Sequence, residues 1–471
     1  MQRGYLVDTI RASEAVALAA LPPGALMQRA AAGLATCILR ELRRANGGAY
    51  RRRVLLVVGP GDNGGDSLYA GVRLLARGVV VTAWRVAPRV HPDGWRAFRD
   101  AGGREASAPP EPGRFDLVVD GLFGIGGRLG LSGPAAEFAE ACRRSGVPVV
   151  AADLPSGLDA DRPNAGAATS FYADVTVAFG GLKPCHLEEP ARSRCGRVEV
   201  VGLGLELPAP ELEAWEPAEL AAAWPFPDTA SDKYSRGVVG IDAGSPAYPG
   251  AAVLTVVGAT HAGAGMIRFV GDPRAAELVR HAAPNAVHEE GRVQAWVLGP
   301  GWGPDEEGAH ARRVTECLAG GLPVLADADA LRVLPAGPLG PKVLLTPHAG
   351  ELARLLEMGR ADVAADPVGA VRRLAETRQC AVLLKGATQY VATPDTPTIR
   401  LALAGPAWSA QAGSGDVLAG VCGALLAAGL TPAVAALAGA SAQASAAMRH
   451  PGPYPPQSAV RALPDVVASI R

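Results

Sequence analysis

The stretch QAGSGDVLAG at residues 411–420 decides how the second half of this chain is interpreted. Small residues and one acid, Asp416, stand directly before an apolar run with helical spacing. Backbone N–H groups at such a helix start point toward an anion, and the helix dipole adds a favourable positive end. An aspartate at the end of the turn can accept a proton from a hydroxyl held beside that anion. The stretch is therefore either a phosphate cradle with a base or an ordinary helix cap, and a short motif alone does not decide between them.

The apolar run continues from residue 417 to residue 448 and resembles a membrane span at first sight. Thr431 and Pro432 interrupt it after roughly four turns, and Ser441, Gln443 and Ser445 follow. A span needs about 20 consecutive apolar residues, so the pattern predicts two buried helices of a globular core.

Short apolar, β-branched runs alternate with helical patterns along both halves of the chain. This alternation predicts two three-layer α/β domains with parallel strands covered on both faces. The predicted strands are 54–58, 79–84, 115–120, 147–152, 175–179 and 198–201, and then 238–242, 266–270, 295–298, 323–326, 343–346, 381–384 and 389–393. A segment rich in proline and acid separates the halves, so we predict domains at 1–205 and 230–471 joined by a linker, 206–229, that contains one short helix.

Composition excludes several classes of protein. The 471 residues carry a formal net charge of −1, so nothing indicates a nucleic-acid or anionic-membrane partner. Seven scattered cysteines without a CxxC pair argue against a zinc site or a disulfide framework and fit a reducing compartment. The N-terminus lacks the apolar core of a signal peptide. We therefore expect a soluble, cytoplasmic protein that binds small molecules, and we expect a homo-oligomer.

Glycine-rich or polar clusters follow the predicted strands of the second half, where active groups of α/β sheets are found. They are KYSRG at 233–237, AGSPAYPGAA at 243–252, GPGWG at 299–303, ADADA at 326–330, LTPHAGE at 345–351 and KGATQ at 385–389. Together with AGSGDVLAG, these clusters occur in the order of the ribokinase-like NAD(P)H-hydrate dehydratases, which the chain resembles from about residue 231 onward. The resemblance implies a ribokinase-like fold and repair of the S-hydrate of NADH or NADPH at the expense of ADP or ATP.

The resemblance also implies residue roles in the second half. Asp416 would deprotonate the ring hydroxyl, and the N–H groups of Gly413–Gly415 would stabilise the transferring phosphoryl group. Positions matching those that contact the hydrated dinucleotide are Ala251, Gly301, His348 and Asp416; those matching the nucleotide site are Lys385, Gly386, Ala387, Thr388, Gln389 and Gly415. Asp327 and Asp329 either assist a hydrated Mg²⁺ or cap a helix. The chain departs from the family at 404–408, where AGPAW replaces an asparagine-glycine-asparagine pattern.

Three polar clusters in the first half also follow predicted strands: GPGDNGGDS at 59–67, DGLFGIGGR at 120–128 and DLPSGLD at 153–159. The first meets a calcium-loop pattern only in part, because the glutamate expected at its end is absent. Oxygen atoms of Asn63, Asp120 and Ser156 either meet at one sheet end and hold a monovalent cation or serve separate turns and caps.

These clusters, with LMQRAAAGLA at 26–35 and AFGGLKP at 178–184, resemble the NAD(P)H-hydrate epimerases over about residues 1–205. The resemblance implies a Rossmann-like domain in which Asn63, Asp120 and Ser156 bind K⁺. It implies that Asp153 binds substrate and handles the proton at the carbon being epimerised, assisted by Lys183. The implied contacts to the hydrated dinucleotide are Asp62, Asn63, Gly64, Gly65, Asp66, Gly124, Ile125, Gly126, Gly127, Arg128, Leu129, Gly130 and Asp153. Asp62, Ser67 and Ile125 replace the asparagine, glycine and threonine common in that family.

Both resemblances lead to one metabolite, so an epimerase fused to a stereospecific dehydratase is the hypothesis. The alternative is a ribokinase-like kinase for a vitamin alcohol fused to a non-catalytic binding module, since such cradles serve many substrates. A kinase would accumulate a phosphorylated product, whereas a dehydratase releases phosphate.

Overall fold

The computed structural model describes residues 1–163, 169–305 and 307–471. The chain divides into two compact units, one of residues 3–211 and one of residues 212–471 with residues 1–2. Within the described part of the chain, every helix is too short or too polar to cross a membrane.

The unit of residues 3–211 is built around parallel strands. The elements up to residue 211 are β1 (Gln2–Gly4), α1 (Val7–Ala20), α2 (Ala25–Asn46), β2 (Arg53–Val58), α3 (Asp62–Leu75), β3 (Val80–Arg85), α4 (Pro92–Asp100), β4 (Arg104–Ala106), β5 (Leu117–Gly121), α5 (Gly133–Ser145), β6 (Val149–Ala152), β7 (Val175–Phe179), α6 (Pro184–Leu187), α7 (Arg192–Cys195) and β8 (Arg197–Val201). The strands are ordered β4-β3-β2-β5-β6-β7-β8, and every pairing is parallel.

Side chains of β2 show why this sheet is covered on both faces. Val54, Leu56 and Val58 pack with residues of α2, α3 and α4. The alternate residues Leu55 and Val57 pack with residues of α5 on the opposite face. Successive side chains of a strand point to opposite faces, so a continuous apolar run requires helices on both sides. The predicted three-layer domain is confirmed, and β2, β5, β6 and β7 end at one edge.

The second unit has a mixed sheet. Its elements are β9 (Leu212–Ala214), α8 (Pro217–Ala223), β10 (Val238–Asp242), α9 (Pro249–His261), β11 (Met266–Val270), α10 (Pro273–Ala282), β12 (Ala295–Leu298), α11 (Ala309–Ala319), β13 (Val324–Ala326), β14 (Val343–Leu345), α12 (Ala349–Leu355), α13 (Arg360–Ala365), α14 (Pro367–Arg378), β15 (Ala381–Leu384), β16 (Tyr390–Thr393), β17 (Thr396–Leu401), α15 (Ser414–Ala427), α16 (Pro432–Arg449), α17 (Pro456–Ala459) and α18 (Leu463–Ser469). Its strands run β9-β17-β16-β15-β14-β13-β12-β10-β11. Parallel pairing extends from β11 to β15, and β16 and β17 are antiparallel additions.

The segment predicted as a linker contributes to the second unit. Its strand β9 pairs with β17, a strand that the sequence analysis missed. Trp215, Leu220 and Trp224 of the same segment are buried in the core of that unit. The apolar side chains among the prolines and acids therefore decide the structure of this segment. The boundary between the two compact units falls at residues 211 and 212 rather than at 229 and 230. The boundaries of the two activities, 1–205 and 230–471, stay a prediction.

Two buried helices, α15 and α16, occupy the apolar run as predicted. Helix α15 contacts α9 backbone to backbone at two glycines. A Cβ on Gly420 would lie 1.9 Å from the carbonyl oxygen of Thr255, and a Cβ on Gly258 would lie 2.2 Å from the carbonyl oxygen of Val417. Because α15 begins in the 411–420 stretch, this contact fixes the start of that helix against α9.

We expect Gly420→Ala to lower the free energy of unfolding by about 1–3 kcal/mol, since an overpacked methyl must push the helices apart. Gly250→Ala is the matched control, because Gly250 is also in a helix and nothing lies within 4 Å of its added Cβ. Denaturant unfolding of the full chain measures both variants, and hydrogen exchange in α15 assigns the transition to this unit. Equal stability of the two variants would contradict the packing argument.

Candidate active sites

The start of α15 is an open cradle of backbone N–H groups. Gly413 precedes the helix in the left-handed conformation, with φ of 86°, and no side chain caps the helix there. Gln443 of α16 donates to the carbonyl oxygen of Ser414 at 2.9 Å and holds the turn from the other side. The N-terminal N–H groups thus remain available for an anion, as the helix dipole favours.

Lys385 lies over this cradle, at the end of β15. Its Nζ donates to Asp327 Oδ1 at 2.5 Å, and a Cβ built on Gly415 would lie 3.2 Å from that Nζ. Burial would lower the pKa of Lys385, but the Asp327 and Glu351 carboxylates outweigh it and raise the pKa. The ammonium therefore stays charged beside the N–H groups, and both attract the same anion.

Asp416 lies in the first turn of α15, within the electrostatic influence of Lys385. Burial raises the pKa of its carboxyl to about 6, the nearby Asp327 carboxylate adds to the rise, and Lys385 opposes it. A base whose pKa lies near neutrality combines a large ionised fraction with useful proton affinity. The geometry thus brings the N–H groups at the start of α15, the Lys385 ammonium and the Asp416 carboxyl together.

The remaining predicted residues of this unit follow neighbouring strands, except Ala251, which lies in α9. Lys385 N donates to the carbonyl oxygen of Pro347, and His348 pairs with Lys385 in an isolated bridge, so these two segments adjoin. His348 caps α12 by accepting from the N–H groups of Gly350 and Glu351 with Nδ1. Its side chain is 57% exposed, so the capping role leaves the other ring edge accessible.

Ala251 and Gly301 touch at another part of the same edge, where a Cβ on Gly301 would lie 2.5 Å from Ala251 Cβ. Neither Asp327 nor Asp329 caps a helix with its side chain: Asp327 binds Lys385, and Asp329 Oδ2 accepts from Gly303 N at 2.8 Å. Oδ2 of Asp327 remains for a hard cation, whereas Oδ1 of Asp329 also pairs with Arg332 Nε at 3.5 Å. Carboxylate oxygens fit hydrated Mg²⁺.

The sequence analysis missed two supports of this edge. Asp242, the last residue of β10, accepts from Trp302 Nε1 and from Arg313 Nε, both at 2.9 Å, and so holds the GPGWG loop. A small cavity beside α15 is lined by aromatic and polar side chains, among them Trp408, Gln411, Ser414, Gln443 and Tyr454. Two signals in the sequence could have indicated the role of Asp242: an acid at a strand end and a tryptophan within the glycine-rich loop. The cavity beside α15 depends on tertiary packing and has no such signal.

We expect Lys385→Met to lower the free energy of unfolding by about 3–5 kcal/mol, because it leaves the buried Asp327 carboxylate without its cation. Asp327→Asn combined with Lys385→Met removes both charges and should recover most of that stability. A double-mutant cycle by denaturant unfolding measures the coupling. Additive effects of the two substitutions would contradict the ion pair.

In the first unit, Asp153 lies at the end of β6 in the left-handed region, with φ of 67°. Its Oδ1 accepts from Lys183 Nζ at 2.5 Å and from Phe179 N at 3.2 Å, and its Oδ2 accepts from Ile125 N at 3.1 Å. Burial alone would raise the pKa of Asp153, but the Lys183 ammonium outweighs it, and the pKa is lowered. Asp153 is therefore a carboxylate at neutral pH, held in a backbone conformation that is uncommon for a non-glycine residue.

His186 supports this pair and was missed in the sequence. Its Nδ1 accepts from Lys183 N at 3.0 Å, and its Nε2 is 2.9 Å from the carbonyl oxygen of Asp153. Lys183 itself is fully buried and also donates to the carbonyl oxygen of Phe179 at 2.8 Å. Asp153 and Lys183 are thus positioned on both sides by the strand ends and by α6.

The predicted K⁺ ligands lie in three elements: Asn63 at the start of α3, Asp120 in β5 and Ser156 in the loop after β6. Asp120 is fully buried and accepts from Ser156 Oγ at 2.6 Å, from Ser156 N at 2.7 Å and from Leu122 N at 3.2 Å. Burial raises the pKa of Asp120 to about 6, although the bonds from Ser156 oppose it. Both side-chain polar atoms of Asn63 are buried without a hydrogen-bond partner among the described residues. A carboxylate, a hydroxyl and an unpaired amide are oxygen donors that fit an alkali cation.

A cavity of about 930 Å³ opens beside these groups. Its lining includes several predicted substrate contacts: Asp62, Asn63, Asp66, Gly124, Ile125, Gly126, Gly127 and Asp153. Other predicted contacts, namely Gly64, Gly65, Arg128, Leu129 and Gly130, are not among the described residues that line it. Gly64 lies against the backbone of Gly59, where a Cβ would meet a carbonyl oxygen at 2.2 Å. Gly130 N bonds to the Gly157 carbonyl oxygen, so these positions shape the loops behind the cavity.

Comparison with known proteins relates both units to characterised families. Residues 239–463 match the family model described as NAD(P)H-hydrate dehydratase, and residues 23–185 match that described as YjeF-related protein N-terminus. The bifunctional NAD(P)H-hydrate repair enzyme of Mycobacterium tuberculosis is 47% identical over 450 residues, which is 93% of this chain and 91% of the relative. The Escherichia coli enzyme of the same name is 33% identical over 418 residues, 84% of this chain and 80% of the relative.

Among solved structures, an ADP/ATP-dependent NAD(P)H-hydrate dehydratase from Bacillus subtilis, co-crystallised with ATP and Mg²⁺, is similar to part of the chain. It aligns with a TM-score of 0.51 and 26% identity, covering 55% of this chain and 99% of that one. The expected ribokinase-like fold is confirmed, and the alternative of a vitamin-alcohol kinase is not favoured.

Proposed function

The chain belongs to the family of bifunctional NAD(P)H-hydrate repair enzymes, and on that premise we propose how its residues divide the repair between two sites. It interconverts the R- and S-hydrates of NADH and NADPH and dehydrates the S-hydrate with ADP or ATP. The single observation that carries the division of labour is that each unit holds its own buried carboxyl group beside a buried lysine. Asp153 is paired with Lys183, and Asp416 lies near Lys385, which is itself paired with Asp327.

In the second unit, Asp416 would take the proton of the ring hydroxyl while that oxygen attacks the terminal phosphorus of the nucleotide. The bond from phosphorus to the bridging oxygen breaks, and the shortened nucleotide leaves with the electron pair. The α15 N–H groups and Lys385 would stabilise the charge on the transferring group. Phosphate then leaves the ring carbon as the neighbouring carbon loses a proton and the ring double bond forms.

Around this centre, Ala251, Gly301 and His348 would contact the hydrated ring, and the 385–389 segment with Gly415 would hold the nucleotide phosphates. Asp327 and Asp329 would hold hydrated Mg²⁺. When bound, this ion neutralises phosphate charge.

In the first unit, the cavity beside Asp153 would bind the hydrated dinucleotide, with Asp153 handling a proton at the carbon that changes configuration. Asn63, Asp120 and Ser156 would hold K⁺, which when bound supplies positive charge at this sheet end. Support for K⁺ comes from the unpaired, buried amide of Asn63.

We also propose that the protein acts in the cytoplasm as a homo-oligomer. The seven free, buried thiols fit a reducing compartment. Light scattering on the purified protein measures the oligomeric state.

The function is tested on the purified full chain with a mixture of both hydrates and either ADP or ATP. Released phosphate and the absorbance of the restored dihydronicotinamide should rise in equal amounts. A phosphorylated product without restored absorbance would contradict dehydration. Replacing K⁺ by tetramethylammonium should slow epimerisation and leave dehydration of the isolated S-hydrate unchanged; equal epimerisation rates would remove K⁺ from the proposal.

A further inference from the structure

Glu14 occupies an unexpected position on α1. The buried residues of this helix are Val7 and Ile10, and Ala17 packs against the core of the unit. Positions 7, 10, 14 and 17 form one helical face, so position 14 belongs to the inward face. Glu14 is half-buried there, whereas Val16 on the outward face is 71% exposed. An acid faces inward where packing alone would favour an apolar side chain.

The inward face of α1 brings Glu14 to the wall of the cavity that contains Asp153 and Lys183. Among the described residues, no hydrogen bond or ion pair engages the Glu14 side chain, in contrast to Asp153, whose two oxygens accept three bonds. The other charged groups that face Glu14 are Arg11 on the same helix and Asp62 and Asp66 on α3. A carboxyl group without a partner on the wall of a substrate cavity is free to bond to the substrate.

The surroundings of the two carboxyl groups shift their pKa values in opposite directions. Burial raises the pKa of Glu14, Lys183 opposes that rise, and Asp153 adds to it. Asp153 keeps a lowered pKa because Lys183 contacts it directly. Two acids whose surroundings separate their pKa values are suited to opposite roles, the ionised one as base and the protonated one as acid. Asp153 cannot donate a proton while it is paired with Lys183, so the site needs a separate donor.

We propose that Glu14 is the second catalytic residue of the epimerase site, the proton donor that acts opposite the base Asp153. This inference rests on the proposed role of Asp153. The hydroxyl-bearing carbon of the hydrate is also bonded to the ring nitrogen, so it can open as a hemiaminal.

In the opening step, Asp153 takes the hydroxyl proton and a carbon–oxygen double bond forms. The carbon–nitrogen bond breaks, its electron pair goes to nitrogen, and Glu14 donates a proton to that nitrogen. The aldehyde group then rotates about the adjacent carbon–carbon bond. In closing, nitrogen attacks the other face, Glu14 recovers its proton, and Asp153 returns its proton to oxygen, so no atom or electron is gained or lost.

Asp66 is the other acid of this wall with a raised pKa, chiefly through burial. It is 8% exposed, in the second turn of α3, so its side chain is less accessible to a ligand than that of Glu14.

The test starts from one purified hydrate and follows the interconversion of the two hydrates to equilibrium. Nucleotide is left out, so that dehydration cannot proceed. Glu14→Gln should lower kcat of epimerisation by about 10²-fold or more, with KM changed less than threefold. Wild-type kcat should fall as pH rises through the pKa of Glu14, because the donor must be protonated, and Glu14→Gln should lose that alkaline limb. Glu14→Asp should recover part of the rate. Glu137→Gln, on the exposed face of α5, is the matched control and should behave as wild type.

Dehydration of the S-hydrate by the same variants reports on the integrity of the second site, and thermal unfolding reports on the first unit. A folded Glu14→Gln variant with wild-type kcat, or with the alkaline limb intact, would overturn the role of Glu14. A wild-type chain that does not interconvert the hydrates would instead overturn the function proposed for the whole first unit.

Discussion

Replacing Asp416 by asparagine should lower kcat for dehydration of the S-hydrate by about 10²–10⁴-fold, the usual contribution of a general base. Nucleotide and hydrate KM should change little, because the cradle N–H groups and Lys385 do not depend on this carboxylate. An effect confined to kcat is the signature of an interaction made in the transition state.

The raised pKa of Asp416 also predicts the direction in which the rate changes with pH. The pKa of Asp416 is raised to about 6, and only the ionised form can accept a proton. Wild-type kcat/KM should therefore fall as pH drops below about 6, and Asp416→Asn should lack that acid limb. Steady-state rates between pH 5 and 8 measure both curves. A variant that keeps the acid limb would assign it to another group.

Loss of folding does not account for this effect, and the raised pKa of Asp416 shows why. A carboxyl whose folded-state pKa is raised favours folding in its protonated form, and that contribution is lost as pH rises through about 6. At neutral pH the ionised Asp416 therefore opposes folding, and Asp416→Asn should be at least as stable as wild type. Epimerisation in the first unit should be unchanged, which serves as the internal control.

Replacing Asp153 by asparagine should lower kcat of the other activity, epimerisation, by a similar factor of about 10²–10⁴. Repair of the pure S-hydrate should continue. The R-hydrate should be consumed only as fast as it converts spontaneously to the S-hydrate. Asparagine tolerates the left-handed backbone at this position, so the φ of 67° is not the source of the defect.

Stability must be measured alongside, because Asp153→Asn leaves Lys183 as a buried, uncompensated charge. Breaking such a pair costs about 3–5 kcal/mol. Asp153→Asn with Lys183→Met removes both charges and should be more stable than the single variant, while remaining inactive as an epimerase. Recovery of epimerisation in the double variant would contradict the assignment of Asp153.

The sequence predicted the strands that carry the sites, because continuous β-branched runs leave few alternatives to buried parallel strands. It missed β1, β4 and β17, and it assigned β9 and α8 to a linker. The reason is local composition: proline and acid dominate that segment, and the burial of Trp215 and Leu220 depends on a sheet formed by distant residues.

The residues of the two sites were likewise predicted only in part. The position of Asp153 directly after β6 and that of Asp416 in the first turn of α15 were predictable, because the motif around each one indicates a strand end or a helix start. The pairing of Lys385 with Asp327 and the support of Lys183 by His186 were not, since each joins segments whose distance the sequence does not encode locally. Glu14 was missed because the pattern of α1 does not show which face covers a cavity.

The central claim, two independent sites acting in series on one metabolite, is tested most directly by complementation. An equal mixture of R- and S-hydrates with excess ADP is given to Asp153→Asn alone, to Asp416→Asn alone, and to both variants together. We expect restored coenzyme from only the S half with the first variant, none with the second, and full recovery when the two proteins are combined. Recovery by the combination that does not exceed that of Asp153→Asn alone would contradict it.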